Sequence, residues 1–386
     1  MNRFMDHAVA VIAGHAVGDA LGGATEGYSP EAIEVRHGGR VTGIVGPFLE
    51  DWAHARPLAP YHKGDGHVTD DTLMTRALIE VYARRRTHLD AYAMADGLVP
   101  IMMGEPVWVP ELETTVPLLQ RVFLAEKWLV MRCFHEHVDP REAGVGNIVN
   151  CGAAMYMAPV GVVNPGDPEA AYAEAIDMAG AHQSSFGREA AGVFAAAVAV
   201  SLAPDATLAG VLDAARTLAK DGTRDAIAAV LDAVADAPVP TDDDTERALA
   251  RSVRAAVAPY DTVGSDDYRS PSLDARRPSR TKSIEELPVG LAMLAAHRAD
   301  YRSTVLACIN YGRDADSIAG MAGAIAGGLG GLSVVPAEWL DAIESASRMD
   351  IRAAGRLLGE VAAQIVEQDA SRAERRAAGL RAALEA

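Results

Sequence analysis

Two short acidic runs, far apart in the chain, carry the residue types that bind hard divalent cations. The first is Thr69-Asp70-Asp71-Thr72 and the second is Gly312-Arg313-Asp314-Ala315-Asp316-Ser317. Mg²⁺ and Mn²⁺ take oxygen ligands in near-octahedral geometry, and carboxylates flanked by Thr or Ser hydroxyls supply such a set. A single acid at a helix start is explained by capping of free N–H groups and by the helix dipole. A pair of acids at a helix start, in two places, exceeds that need. Four carboxylates gathered without a cation would raise one another's pKa values by repulsion. A dinuclear centre removes the repulsion, and ions about 3.5–4 Å apart can polarise a substrate oxygen or position a water.

A third stretch lies near the N-terminus, Gly14-His15-Ala16-Val17-Gly18-Asp19-Ala20-Leu21-Gly22-Gly23-Ala24-Thr25-Glu26. Its glycines do not keep the GxGxxG spacing and no strand precedes them, so a dinucleotide fold is not indicated. The small residues suit a closely packed helix that ends near Gly22–Gly23 and presents Glu26 on the following loop.

The elements that must position these residues are helices. Alanine-rich segments with apolar residues at three- and four-residue spacing recur at 72–85, 188–202, 207–219, 224–236 and 245–257, and aromatics are only 5% of the chain. This periodicity predicts an all-α protein, a large helical bundle with small residues at its interfaces. A capping box, Ser283-Ile284-Glu285-Glu286, predicts the start of the helix through Leu287–Ala296. The Ser-, Arg- and Pro-rich stretch 262–282 reads as a loop, and the charged, alanine-rich tail as an exposed helix. No repeat or composition shift divides the 386 residues, so a single domain is expected, with a core over about 8–340 and C-terminal helices over 341–386.

The formal net charge is -18, from 53 acidic and 35 basic residues. That balance argues against a nucleic-acid partner. Cys133, Cys151 and Cys308 have no zinc or disulfide spacing and read as buried small residues. The N-terminus lacks a signal-peptide pattern, and no stretch approaches a membrane span of about 20 apolar residues. A cytoplasmic protein without a membrane partner is expected. His54, His62 and His67 precede the first acidic run but fit no zinc pattern, and no GxSxG signature is present.

GDALG at 18–22, TDDT at 69–72 and GRDADS at 312–317 together resemble the ADP-ribosylglycohydrolase family, with weaker echoes at 150–161, 180–191, 283–294 and 335–339. The resemblance runs from about residue 8 to 340. It implies an orthogonal helical bundle, two Mg²⁺ or Mn²⁺ ions, and hydrolysis at the anomeric carbon of an ADP-ribosyl group. By motif, it implies Thr69, Asp70, Asp71, Asp314, Asp316 and Ser317 as metal ligands. Glu26 takes the place of the acid near the metals that handles water or the leaving group, with Asp71 and Asp316 as further catalytic residues and Asp316 able to bridge both ions. His182 matches a histidine near the substrate pocket, and Asn150, Gly152, Tyr156 and Arg313 fall where substrate contacts are implied. Asp19 is expected to be structural, bonding backbone at a helix end.

The sequence departs from the family pattern in two places. Arg313 stands where a glycine is usual and Ser317 where a threonine is usual, the serine keeping the ligating hydroxyl. Tyr156 stands where arginine is expected in a run that otherwise lines a diphosphate. The insertion-like stretch 104–146, with Trp108, Phe123, Trp128 and His135, is expected to pack in the core, with reshaping of the pocket as the alternative. The changes at Arg313 and Tyr156 keep open a relative redirected to another small N- or O-glycoside, and the resemblance itself, which extends to crystallin-like proteins, keeps open a non-catalytic relative.

Overall fold

The computed structural model describes residues 2–53, 63–110, 112–260 and 282–385, with 282–284 described by their backbone alone. Residues 262–281 of the expected 262–282 loop, His54, His62 and the side chain of the capping Ser283 lie outside the described residues. Helices dominate the rest. The strands described are one antiparallel ribbon, Pro106–Val109 with Thr114–Pro117, inside the 104–146 stretch. Among the described residues no helix is long and apolar enough to cross a membrane, and all three cysteines are free thiols.

The centre of the bundle is the crossing of α1 (Arg3–Gly22) with α6 (Ala315–Gly330). Residues 8–22 of α1 and 315–328 of α6 are buried throughout. Gly14, Gly18 and Gly22 recur every four residues, so they stack on one face of α1. A Cβ at Gly18 would run into the Ala319 carbonyl, and one at Gly22 into the backbone of Ala315 and Asp316. The helices can meet this closely only because the facing atoms are hydrogen. The crossing places Asp19 beside the first turn of α6, which carries Asp316 and Ser317.

The other elements pack around this pair. α2 (Asp70–Arg85) begins at the first acidic run, with Thr69 as its N-cap. α3 (Ser185–Ser201), α4 (Lys282–Ala296) and α5 (Tyr301–Tyr311) all pack near α6. α7 (Ile351–Glu385) buries Ile351, Gly355, Leu358, Gly359, Val361, Ala362 and Ile365, while its last twenty residues are largely exposed. A Cβ at Gly355 would meet Val9 and one at Gly359 would meet Met5. The first half of α7 is therefore part of the central packing.

Candidate active site

Asp19 organises the first acidic run. Its carboxylate accepts hydrogen bonds from the Thr69 N–H at 3.1 Å, the Thr72 N–H at 3.1 Å and the Thr69 hydroxyl at 2.6 Å, and a further short one from the Thr72 hydroxyl. Among these four donors the Thr72 N–H is one of the free N–H groups in the first turn of α2, and the Asp71 N–H is satisfied by the Thr69 hydroxyl oxygen. Burial raises the Asp19 pKa, and the Thr69 and Thr72 bonds oppose that rise. Thr69, implied as a metal ligand, thus gives its hydroxyl proton to Asp19 and keeps its oxygen lone pairs toward the Asp71 N–H. With α2 fixed in this way, Asp70 and Asp71 project into the same buried space.

The second run arrives over the α1–α6 crossing. Gly312 and Arg313 both adopt left-handed backbone, with φ of 74° and 56°, and a Cβ at 312 would collide with the Tyr28 carbonyl. The Arg313 N–H donates to the Tyr28 carbonyl at 3.0 Å, and the Gly27 N–H donates to the Arg313 carbonyl. This pair of backbone bonds clamps the loop carrying Glu26 to the loop carrying Asp314. Only glycine at 312 allows both the positive φ and the close approach.

The two runs meet. Ser317 Oγ donates to Asp71 Oδ1 at 2.9 Å. Carboxylate oxygens of Glu26, Asp314 and Asp316 lie within 4.8 Å of one another, and so do ligand atoms of Cys151, Glu286 and Asp314. Asp314 belongs to both groups. Cys151 Sγ is 2.9 Å from Asp314 Oδ2 and 3.4 Å from Ser317 Oγ. Asp70 accepts a 3.0 Å bond from the Phe123 N–H, so the 104–146 stretch touches the acid cluster directly.

The carboxyl groups of this space are buried and crowd one another. Burial lifts Asp70 to about 7 and Glu126 to about 8. Asp71 and Asp316 are pushed well above the usual carboxylate range, first by burial and then by neighbouring acids. Asp316 is only 3% exposed, and its Oδ1 has no hydrogen-bond partner. An orphaned oxygen of this kind costs stability unless something positive sits against it. Oxygen-rich, charge-dense and short of donors, these residues fit hard divalent cations.

The residues implied for substrate contact are placed differently. His182 and Tyr156 are wholly buried and bonded to each other, His182 Nδ1 to the Tyr156 hydroxyl at 2.9 Å, while His182 Nε2 meets the Ala125 carbonyl at 3.0 Å. Burial lowers His182 to about 4. These bonds engage the Tyr156 hydroxyl and both ring nitrogens of His182 within the protein. Asn150 also serves locally, accepting from the Gly152 N–H at 3.0 Å and from Gln183 Nε2 at 2.8 Å. Gly152 leaves room for Glu126, whose Oε1 a Cβ there would strike. Arg313 pairs with Glu285 at 2.5 Å and lines a cavity of about 650 Å³ with Arg247, Arg251, Arg254, Tyr28 and Tyr311.

Three members of the cluster were not singled out from the sequence. Cys151 read as a small apolar residue, Glu286 as half of a capping box, and Glu126 as nothing in particular. Since α4 begins at Lys282, Glu286 lies inside the helix, and its fully buried carboxylate belongs to the acid cluster. No signal along the chain marks these three, because each is an isolated residue whose partners are distant.

Comparison with known proteins agrees with the helical fold. A solved structure titled "ADP-ribosylglycohydrolase-related protein complex" is similar with a TM-score of 0.62 and 19% identity, covering 94% of this chain and 100% of that one. No curated protein matches the sequence at a significant level. The sequence matches the family described as ADP-ribosylglycohydrolase over residues 1–372, a span that takes in both acidic runs and the buried half of α7. The chain belongs to the ADP-ribosylglycohydrolase family, and so to the glycosidic-bond hydrolases.

Proposed function

We propose that this hydrolase cleaves the glycosidic bond of an ADP-ribosyl group, or a closely related ribosyl linkage, at a centre holding two Mg²⁺ or Mn²⁺ ions. The observation that carries the reading is the convergence of Asp71 with Ser317 and of Glu26 with Asp314 and Asp316. Thr69, Asp70, Asp71, Asp314, Asp316 and Ser317 would hold the ions. When bound, the ions supply Lewis-acid stabilisation of substrate oxygens and a more acidic water.

The chain's own residues supply the rest. Rupture of a ribosyl C1″ bond passes through an oxocarbenium-like state, which a nearby carboxylate stabilises, and water must lose a proton as it attacks. Glu26, clamped beside Asp314 by the Gly27 and Arg313 backbone bonds, is the acid set to take that proton. Asp71 is held by Ser317, and Asp19 fixes the start of α2. The buried His182–Tyr156 pair keeps the wall behind the acids rigid.

A redirected substrate remains a second reading, favoured by Arg313. Its cavity with Arg247, Arg251 and Arg254 is lined in part by Gly27, the residue that follows Glu26 in the chain. Side-by-side turnover separates the two readings. ADP-ribosyl-arginine, ADP-ribosyl-serine and simple nucleosides are offered to chelator-stripped protein with and without Mg²⁺ or Mn²⁺. Ion-dependent release of ADP-ribose supports the main reading, and nucleoside cleavage alone supports redirection. Ion binding without any turnover would support a non-catalytic relative.

A further inference from the structure

The first half of the 104–146 stretch, the first turns of α2 and the turn before α7 enclose a cavity of about 320 Å³ outside the acid cluster. The guanidinium groups of Arg76, Arg121 and Arg348 line it, with His67 beside them, and Asp350 is the one acid among the described lining residues. A chain of net charge -18 has gathered cations here. Arg76 is shared with Glu105 at 3.1 Å. Asp350 accepts from the Ala353 N–H at 2.7 Å and so caps α7.

Arg121 and Arg348 are held in different ways. Arg121 is 2% exposed. Burial is the main influence on the pKa values of Asp70 and His67, raising the first and lowering the second, and the Arg121 charge lowers both. Water screens a cation weakly in such a place, so its pull on an anion is strong. Arg348 ends the helix Ala337–Ser347 in left-handed backbone, φ 53°, where glycine would be the less strained residue. Its guanidinium lies 3.5 Å from the centre of the Trp108 ring. Stacking uses the face of the guanidinium and leaves the N–H donors in its plane for an acceptor. Among the described residues no carboxylate pairs with Arg348. The cavity also shares a wall with the first acidic run, since Val68 and Leu73 line it and flank Thr69–Thr72.

We infer that this cavity is a phosphate-binding site, in which Arg121 and Arg348, with Arg76 beside them, hold the phosphate of a small phosphate-bearing molecule. The arginines come from three separate segments around the space, which suits a tetrahedral group that accepts from several sides better than a planar carboxylate. The volume is at the small end of ligand pockets, roughly 300–1,000 Å³, and suits one phosphate with the few atoms that carry it. Two sources share this chemistry: a phosphate of the glycosidic substrate, which rests on the hydrolase reading above, and a separate phosphorylated ligand, which does not.

Calorimetric titration of inorganic phosphate into full-length protein freed of divalent ions reads this site apart from the metal centre. The wild type should bind phosphate. Arg348→Gly suits the left-handed turn, and its phosphate affinity should fall at least about tenfold, the scale of one charge-assisted hydrogen bond. Arg348→Gln, with the same fall expected, serves if the glycine loosens the turn. Arg302→Gln is the control, because Arg302 also stacks on a tryptophan, 4.3 Å from the centre of the Trp339 ring, but lies outside the cavity. Its affinity should equal that of the wild type. No phosphate bound by the wild type, or equal affinity in the Arg348 variants, overturns the site. Displacement of phosphate by ADP-ribose assigns the cavity to a substrate phosphate, and phosphate binding undisturbed by ADP-ribose assigns it to a separate ligand. Ion-dependent turnover without phosphate binding rejects the cavity and leaves the hydrolase reading standing, whereas phosphate binding without turnover rejects that reading and leaves the cavity.

Discussion

Ser317 Oγ and Asp71 Oδ1 are 2.9 Å apart although 246 residues separate them in the chain. That hydrogen bond joins the start of α6 to the start of α2. It exists because Gly14, Gly18 and Gly22 let α1 and α6 cross in near backbone contact, and because Asp19 on α1 holds Thr69 and Thr72. One helix thus sets the position of both acidic runs.

Asp316→Asn should separate stability from function. An unpartnered buried carboxylate destabilises the cation-free protein, so the cation-free variant should melt at a higher temperature than the wild type. Ion content and turnover should both fall, turnover by a hundredfold or more, on the order of 3 kcal/mol in the barrier. Thermal melts with chelator, read beside metal analysis and steady-state rates, check this. A variant with normal turnover would remove Asp316 from the site.

Asp19→Asn leaves the volume unchanged but takes away the anionic acceptor shared by four donors. The expected cost is about 1–3 kcal/mol of stability, the usual penalty for donors left unsatisfied in a buried place. Ion affinity should weaken as well, since Thr69, Asp70 and Asp71 lose their anchor. Urea unfolding and an ion-binding isotherm measure the two effects. Unchanged ion affinity in a destabilised variant would make Asp19 a plain helix cap.

Gly18→Ala tests the helix crossing. The added methyl meets the Ala319 carbonyl, which belongs to a rigid backbone and has little room to yield. Overpacking of this kind costs about 1–3 kcal/mol. The Ser317–Asp71 contact should widen as α6 is displaced, so turnover should fall even where the fold survives. Melting temperature and a crystal structure of the variant decide the matter.

His88 predicts a pH dependence far from the site. It bonds Glu174 at 2.6 Å and Asp369 of α7 at 2.7 Å, and the Glu174 bond is first among the causes that raise its pKa to about 9. A raised histidine contributes stability that is complete below its unfolded value near 6.5 and is lost as pH climbs through about 9. Protection factors along α7, with the intrinsic base-catalysed rate divided out, should therefore fall between pH 7 and 10 in the wild type. In His88→Ala they should be low and unchanged across that range. A wild-type helix with pH-independent protection would reject the link.

Much of this was legible in the sequence because the informative residues are clustered along it. TDDT and GRDADS state their own chemistry by residue type, and the glycines at four-residue spacing announce a close helix contact. Asp19 was readable as a helix-end acceptor, and the structure has it accepting the N–H groups of Thr69 and Thr72. The all-helical class followed from periodicity alone. What stayed hidden depends on packing between distant segments. Glu126, Cys151 and Glu286 are single residues whose neighbours come from other helices. The directions of side chains were hidden too. Tyr156 and His182 share a hydrogen bond inside the core, and Arg313 swings toward Glu285, neither of which any local pattern encodes.

The pH response of the acid cluster is a further consequence. Asp70 and Glu126 are lifted to about 7 and about 8 by burial. Raised carboxylates give the cation-free fold stability that is complete below their unfolded values near 4 and is lost as pH rises through 7 and 8. Cation-free protein should therefore melt progressively lower from pH 5 to 8.5, and added Mg²⁺ or Mn²⁺ should flatten the slope. Parallel slopes with and without ion would show that the acids do not face a cation.

The central claim is that two distant acidic runs make one centre for two ions. It is tested most directly by counting Mn²⁺ bound per chain by metal analysis and equilibrium dialysis, in the wild type, Asp71→Asn and Asp316→Asn. Two ions should bind the wild type and fewer each variant, since each run supplies ligands to the same centre. Two ions retained in both variants, or none bound by the wild type, would contradict it.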